Sequence, residues 1–290
     1  MVMIGFLGGL ASQMNDYAFF LAMKRRYPDL EIKAVNGCFE HNGFELDRVF
    51  GIHLDWVDRR LAQHLVDFHI APPGIARKIC NVGHRMRVAL LGARKTQLNM
   101  ADYSSVEKML PVEFLKESCA IWGNCANEVY QEVEKCLRKD FRFRCELTGE
   151  NQELSSRIRA ENSVSLHVRR GDYFEWGFRI LGEDYYRAAI EAIERRVGNP
   201  AYYVFSDDLP CVKAMFRDLP NVTFVTRNRG KDSAVDMQLM SMCKHNIIAN
   251  SGFSFMGAWL NDNAGKIVVS PRARNERDAS VLSQWGWVQI

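Results

Sequence analysis

No apolar run in this chain of 290 residues approaches the ~20 that a membrane-spanning helix needs, so no span is expected. The first residues carry neither a basic stretch nor a cleavage site, which argues against a signal peptide and for a cytoplasmic protein. Charge of one sign is scarce as well. The 38 Lys and Arg stand against 35 Asp and Glu, and a net charge of +3 makes no field strong enough to argue for nucleic acid. The eight cysteines, at 38, 80, 119, 125, 136, 145, 211 and 243, include no pair with zinc-ligand spacing. Several lie in apolar segments, which points to reduced, buried thiols. The three-glycine dinucleotide fingerprint is absent too.

What is present is concentrated in one run, Leu166-His167-Val168-Arg169-Arg170-Gly171-Asp172-Tyr173. The apolar Ser163–Leu166 segment leads into it as a strand, and Gly171-Asp172 supplies turn chemistry. Two guanidiniums are thereby expected at the carboxyl edge of a strand, where open α/β sheets bind ligands. Arg holds phosphate oxygens in a planar, two-pronged geometry. Surface ion pairing is the plainer reading of the same two residues.

The pattern around the run favours a ligand. Strand-like segments at 202–205, 222–225, 247–249 and 267–269 alternate with helical ones at 185–197, 209–216, 234–244 and 253–260. Such alternation predicts a parallel, doubly wound sheet and a nucleotide-binding half. Ser206-Asp207-Asp208 and Asn250-Ser251-Gly252-Phe253-Ser254 each follow a strand, so both belong on the edge that carries Arg169. The second cluster opens a helix, where hydroxyls and free N–H groups make an anion site; capping by Ser251 is the plainer alternative. Asp207 and Asp208 invite a Mg²⁺ reading, but adjacent residues on a turn rarely aim both carboxylates at one ion. A carboxylate can instead accept from a guanine edge, so no metal is expected.

The amino-terminal half opens in the same way. Val2–Leu7 reads as a strand, Gly8-Gly9 follows at once, and Gln13–Tyr27 has helical periodicity. Paired glycines between strand and helix let a ligand approach the backbone, although a tight turn explains them equally well. Further on, Leu61–Phe68 and Glu113–Glu117 are helical, and Trp122-Gly123-Asn124 follows the apolar Cys119-Ala120-Ile121. Arg77, Lys78, Arg85, Arg87, Arg94 and Lys95 alternate with Ile79, Val88, Leu90 and Leu91 in a basic amphipathic segment. Such a segment suits peripheral contact with the inner face of an anionic membrane; a solvated helix face is the commoner explanation. His41, Asn42, His53, Trp56 and His64 are candidate ligand contacts, although isolated histidines are more often structural.

Four motifs together resemble the bacterial α-1,2-fucosyltransferases of glycosyltransferase family 11. They are Gly8-Gly9-Leu10-Ala11-Ser12-Gln13-Met14-Asn15-Asp16-Tyr17-Ala18, His167–Tyr173, Phe205–Asp208, and Asn250–Ser254 continued by Gly257–Asn261. They stand in the family's order and span residues 8–261. The resemblance implies an α/β fold of GT-B type, with two Rossmann-like doubly wound domains facing a cleft. Residues 1–150 would form the acceptor-side domain and 151–275 the GDP-fucose-binding domain, with 276–290 a carboxyl tail that crosses back toward the first domain.

It further implies inverting transfer of L-fucose from GDP-β-L-fucose to a galactoside hydroxyl, in α-1,2 linkage. The acceptor would be a galactose-terminated oligosaccharide or lipid-linked glycan. Arg169, Asp172 and Ser12 are the catalytic candidates; no base is evident, Asp16 and Asp172 being the carboxylates nearest the motifs, and orienting Arg169 or Arg170 is the alternative role of Asp172. Arg169 would meet the β-phosphate beside Arg170, and His167 the guanosine side. Asp207 or Asp208, after Ser206, would hold the guanine. Asn250, Ser251, Phe253 and Ser254 would lie along the diphosphate, and Gly8 and Gly9 would close over the donor. No cofactor is implied. Alternatives are an α-1,6- or O-fucosyltransferase, or a nucleotide-sugar-binding protein with weak catalysis.

The chain departs from the family in three places. Ala11-Ser12 stands where Gly-Asn is usual, and Asn15-Asp16 where Phe-Gln is usual. Phe255 and Met256 stand where two tryptophans are usual, and both remain large and apolar, as repacked core positions would.

Overall fold

The computed structural model describes residues 1–65, 70, 74–90, 97–99, 119–122, 127–175, 177–273 and 275–290. The expected helix at Glu113–Glu117, the end of the Leu61–Phe68 helix, Gly123-Asn124, Leu91, Arg94, Lys95 and Cys125 lie outside them, as do the side chains of His64, Arg87, Val88 and Cys119. The chain divides into two compact units, Met1–Arg144 and Cys145–Ile290. Both are α/β units built on parallel sheets.

In the first unit, β1 (Val2–Phe6), β2 (Ile32–Asn36), β3 (Gln97–Asn99) and β4 (Cys119–Trp122) pair in the order β2-β1-β4-β3, all parallel. β1 is buried along its whole length, and a strand covered on both faces needs a continuous apolar run rather than alternation. Gly5 is required there, because a Cβ on it would lie 1.9 Å from the Trp122 ring. The helices are α1 (Leu10–Arg26), α2 (Leu46–Phe50), α3 (Arg59–Leu65), α4 (Ile75–Leu90) and α5 (Glu128–Asp140). α1 lies against α5 through two side-chain hydrogen bonds. Tyr17 Oη donates to Asp140 Oδ2 at 2.8 Å, and Asn15 Nδ2 donates to Tyr130 Oη at 2.9 Å. Asn15, unusual for the family, thus has its own partner.

In the second unit the strands are β5 (Ser163–Val168), β6 (Ala201–Ser206), β7 (Val222–Val225), β8 (His245–Ile247), β9 (Val268–Ser270) and β10 (Val288–Gln289). Their order is β10-β9-β8-β5-β6-β7, again all parallel. The helices are α6 (Gly149–Ala160), α7 (Gly171–Glu175), α8 (Glu183–Glu194), α9 (Leu209–Met215), α10 (Ser233–Met242), α11 (Gly252–Leu260) and α12 (Glu276–Gln284). Gly257 brings α11 close to α10, since a Cβ on it would stand 3.0 Å from that of Met240.

Central β5 is buried at all six positions but is not uniform. Val164, Leu166 and Val168 enter the larger apolar cluster of the unit, while Ser163, Ser165 and His167 fall on the opposite face by the two-residue period. That face carries a buried polar chain. Asn246 Nδ2 donates to Ser165 Oγ at 2.7 Å, and Asn261 Nδ2 donates to Asn246 Oδ1 and to the Cys243 carbonyl, each at 2.7 Å.

Residues 276–290 belong to the second unit, where β10 extends the sheet beside β9, and Asn275 caps α12 by accepting from Asp278 N at 2.8 Å. Their tryptophans also matter, because the Phe255 ring lies 6.0 Å from that of Trp285 and 5.3 Å from that of Trp287. Large aromatic surface from the tail thus packs against Phe255. One expectation needs revision: the thiols are not uniformly buried. All six described cysteines are free, and Cys38 and Cys243 are buried, but Cys80, Cys136 and Cys145 are exposed. Cys80 and Cys136 occupy solvent-facing positions of amphipathic helices.

Candidate functional site

Parallel pairing carries the ends of β5, β6 and β8 to one edge of the second sheet. Arg169 and Arg170 leave β5 there, and three aspartates fix them. Arg169 Nη2 donates to Asp172 Oδ2 at 2.7 Å, and its Nη1 lies 3.1 Å from Asp207 Oδ2. Arg170 donates from its backbone N to Asp207 Oδ1 at 2.9 Å and from Nε to Asp208 Oδ2 at 3.0 Å. Asp208 Oδ1 also caps α9, accepting from Cys211 N at 3.2 Å, while Asp208 N donates to Ser206 Oγ at 3.0 Å. A guanidinium has five N–H donors. The aspartates therefore take part of each fork and set its direction. Gly171 is needed in this packing, because a Cβ on it would stand 2.8 Å from Asp207 Oδ2.

α7 is tied across the edge as Tyr173 Oη donates to the Asn250 carbonyl at 2.9 Å. Beyond β8, Asn250 Nδ2 donates to the Arg179 carbonyl at 2.8 Å. Ser254 is 1% exposed, and its hydroxyl accepts from Ala249 N at 3.2 Å and donates to the Ser251 carbonyl at 3.3 Å. Ser254 therefore holds the turn together. Ser251 is the N-cap residue of α11 in extended conformation, but its side chain makes no capping bond. The first N–H groups of a helix have no intrahelical partners, so α11 presents the anion-binding end that its sequence predicts.

His167 closes the polar face of β5 beside this helix, its ring 5.9 Å from that of Phe253. It is 5% exposed, and Nδ1 has no partner among the described residues. Burial, and then the nearby Arg169 charge, push its pKa down to about 3. The imidazole is neutral at physiological pH.

In the first unit the Gly8-Gly9 turn is held by residues that sequence reasoning assigned no role. Gly8 adopts φ 69°, a left-handed conformation that suits glycine. Gln13, fully buried, donates from Nε2 to the Gly8 carbonyl at 2.9 Å and to the Gly43 carbonyl at 2.8 Å. Its Oε1 accepts from Glu45 N at 2.7 Å, and Glu45 Oε2 accepts from Leu10 N at 3.0 Å. A carboxylate distant in sequence thus serves the α1 amino terminus, where negative charge is favoured. Asp16 Oδ2 accepts from Leu7 N at 3.0 Å, and burial raises its pKa well above the usual carboxylate range. Ser12 lies over the turn, its Oγ 3.0 Å from where a Gly8 Cβ would be.

Of the candidate ligand contacts, Trp56 is packed edge-on against Phe44 at 4.8 Å and Phe6 at 5.7 Å, and Asn42 donates to Glu45 Oε1 at 3.2 Å. His41 and His53 are exposed. Among the described residues no three of His, Cys, Asp and Glu gather as a metal-ligand group, and no helix is long and apolar enough to cross a membrane.

The chain is similar in sequence to known proteins. The α-1,2-colitosyltransferase of Escherichia coli is 31% identical over 283 residues, 93% of this chain and 91% of that protein. The O-antigen biosynthesis glycosyltransferase WbnK of Escherichia coli is 44% identical over 132 residues, and that match spans 43% of this chain and 44% of the relative. The solved structure of fucosyltransferase NodZ from Bradyrhizobium is similar over 88% of this chain and 91% of its own, at 15% identity and a TM-score of 0.49. The model of Glycosyl transferase family 11 matches residues 70–290, the stretch that contains the arginine pair, its three aspartates and the α11 amino terminus. This chain belongs to glycosyltransferase family 11 and is a glycosyltransferase.

Proposed function

We propose that the protein transfers L-fucose from GDP-β-L-fucose, with inversion, to a galactoside hydroxyl in α-1,2 linkage, as a cytoplasmic enzyme that needs no metal. The observation that carries this reading is the Arg169–Arg170 pair on the β5 edge, held by Asp172, Asp207 and Asp208 next to the uncapped start of α11. In this reading Arg169 meets the charge that builds on the departing diphosphate, the largest electrostatic demand of such a displacement. The N–H groups at the start of α11 receive the second phosphate. Neutral His167 offers its unpartnered Nδ1 to the nucleoside side, since a buried polar atom without a partner marks a place for a ligand.

Asp172 orients Arg169 through Oδ2, while its buried Oδ1 has no partner among the described residues. Asp207 and Asp208 likewise serve the arginines first, which makes guanine recognition their secondary role. A second reading, transfer of colitose, is favoured by the 31% identity to the colitosyltransferase over nearly the whole chain.

The test is an acceptor array offered GDP-fucose and GDP-colitose in parallel. Transfer from GDP-fucose to galactose-terminated acceptors supports the first reading, and transfer from GDP-colitose alone supports the second. Arg169→Ala should lower turnover by roughly 10²–10³, the scale of losing one preorganised electrostatic group. Arg169→Lys should recover only part, because it lacks the planar fork. Near-normal turnover in both variants would move the role to Arg170.

A further inference from the structure

Nine large apolar side chains of the described residues are exposed, and five of them lie on α4: Ile75 at 77%, Ile79 at 68%, Val82 at 60%, Met86 at 60% and Leu90 at 81%. Scattered exposed apolar residues need no explanation, but a contiguous set does. At 3.6 residues per turn these five fall within an arc of about 80°, one stripe along a helix about 24 Å long. Among the described residues nothing covers the stripe. Lys78 and Arg85 flank one side of it by register, and both are exposed. No Asp or Glu occurs from Phe68 to Ala101, whereas six Lys and Arg do, more than enough to account for the net charge of +3.

We infer that α4 is a membrane-surface helix that docks this enzyme on an anionic lipid bilayer, lying flat with its aliphatic stripe in the headgroup–acyl boundary. Lys78 and Arg85 would extend their stems along the apolar face and place their charges at the lipid phosphates. The helix is too short and too charged to span. A bilayer fits this face better than a second copy of the chain does. Two copies meeting on the stripe would bring their basic flanks together, and like charges at an interface are costly. The stripe also lacks the aromatic and arginine anchors around which protein interfaces build their affinity. The inference goes beyond the donor reading and does not rest on it.

The experiment is co-sedimentation of the full chain with vesicles of phosphatidylcholine alone or with about a third phosphatidylglycerol, a membrane anionic enough to attract basic segments. The protein should bind the anionic vesicles, less at high salt, and bind the neutral ones weakly. Lys78→Gln with Arg85→Gln should weaken anionic binding about twenty-five-fold, at roughly fivefold per basic residue. Ile79→Asp with Met86→Asp should abolish binding to either vesicle while leaving the melting temperature unchanged, because both side chains are exposed in the fold. Equal binding to neutral and anionic vesicles would overturn the inference, as would full binding by the aspartate variant. A lowered melting temperature in that variant would show the stripe to be covered by the chain itself. Loss of a dimer in that variant, with wild type ignoring vesicles, would make the stripe an interface between copies.

Discussion

His167 shows how one residue is set by its surroundings. It continues a strand face of Ser163 and Ser165, and it is buried against Phe253 with a cationic neighbour, so protonation is opposed twice. Unfolded, the imidazole titrates near 6.5; folded, it titrates near 3. Between these values the unfolded chain binds a proton that the folded chain does not, so stability falls as pH falls. Asp16 and Asp236 act in the opposite direction, since burial raises both carboxyls, Asp236 to about 7. The difference between wild type and His167→Gln isolates the histidine. From pH 7 to pH 5 wild type should lose about 2 kcal/mol more than the variant in urea unfolding, at ~1.4 kcal/mol per pH unit below 6.5. Parallel pH dependences for the two proteins would show that position 167 is solvated.

At the scale of elements, the edge of β5 depends on how β5, β8 and α11 are registered. Ser165, Asn246 and Asn261 are each 2% exposed or less, and their side-chain hydrogen bonds join the two strands to the end of α11. Asn246 also donates to the Met240 carbonyl at 2.9 Å, which brings in α10. Removing Asn246 leaves several buried groups unmade, and each costs about 1–3 kcal/mol. Asn246→Ala should therefore destabilise the second unit by about 2–5 kcal/mol in denaturant titration. A loss under ~0.5 kcal/mol, the range of ordinary surface changes, would mean that the chain of amides contributes packing alone. α1 shows the same dependence on distant residues, because its amino terminus is completed by Glu45, 35 positions away.

For the whole molecule, two α/β units, each on its own sheet of parallel strands, divide the residues in hand: the glycine turn and α4 in the first, and the arginine edge and α11 in the second. A ligand that binds only the folded second unit shifts its unfolding by mass action. GDP at a hundredfold excess over its Kd should add about 2.7 kcal/mol, a rise of roughly 5–10 °C for a unit of this size. Differential scanning fluorimetry with GDP, UDP and added Mn²⁺ checks this. Equal stabilisation by UDP would count against guanine recognition, and stabilisation only with Mn²⁺ against metal-independent binding.

The sequence by itself determined the alternation of elements and the placing of its polar clusters. A buried parallel strand carries no unpaired charge, so charged and ligand-facing polar clusters gather after it, and Arg169, Asp207 and Ser251 were legible as neighbours on one edge. Strand ends near Ile247 and Val268 shifted by a residue or two, as boundaries do when pairing rather than propensity ends a strand. Tertiary structure alone decided what each polar residue is spent on. Asp207 and Asp208 fix arginines, Ser254 ties a turn, Gln13 and Glu45 hold the glycine loop, and the tail completes the second sheet beside β9. The physical reason is that hydrogen bonds and ion pairs between distant residues follow from packing, and local periodicity carries no trace of which donor meets which acceptor across 30 or more positions.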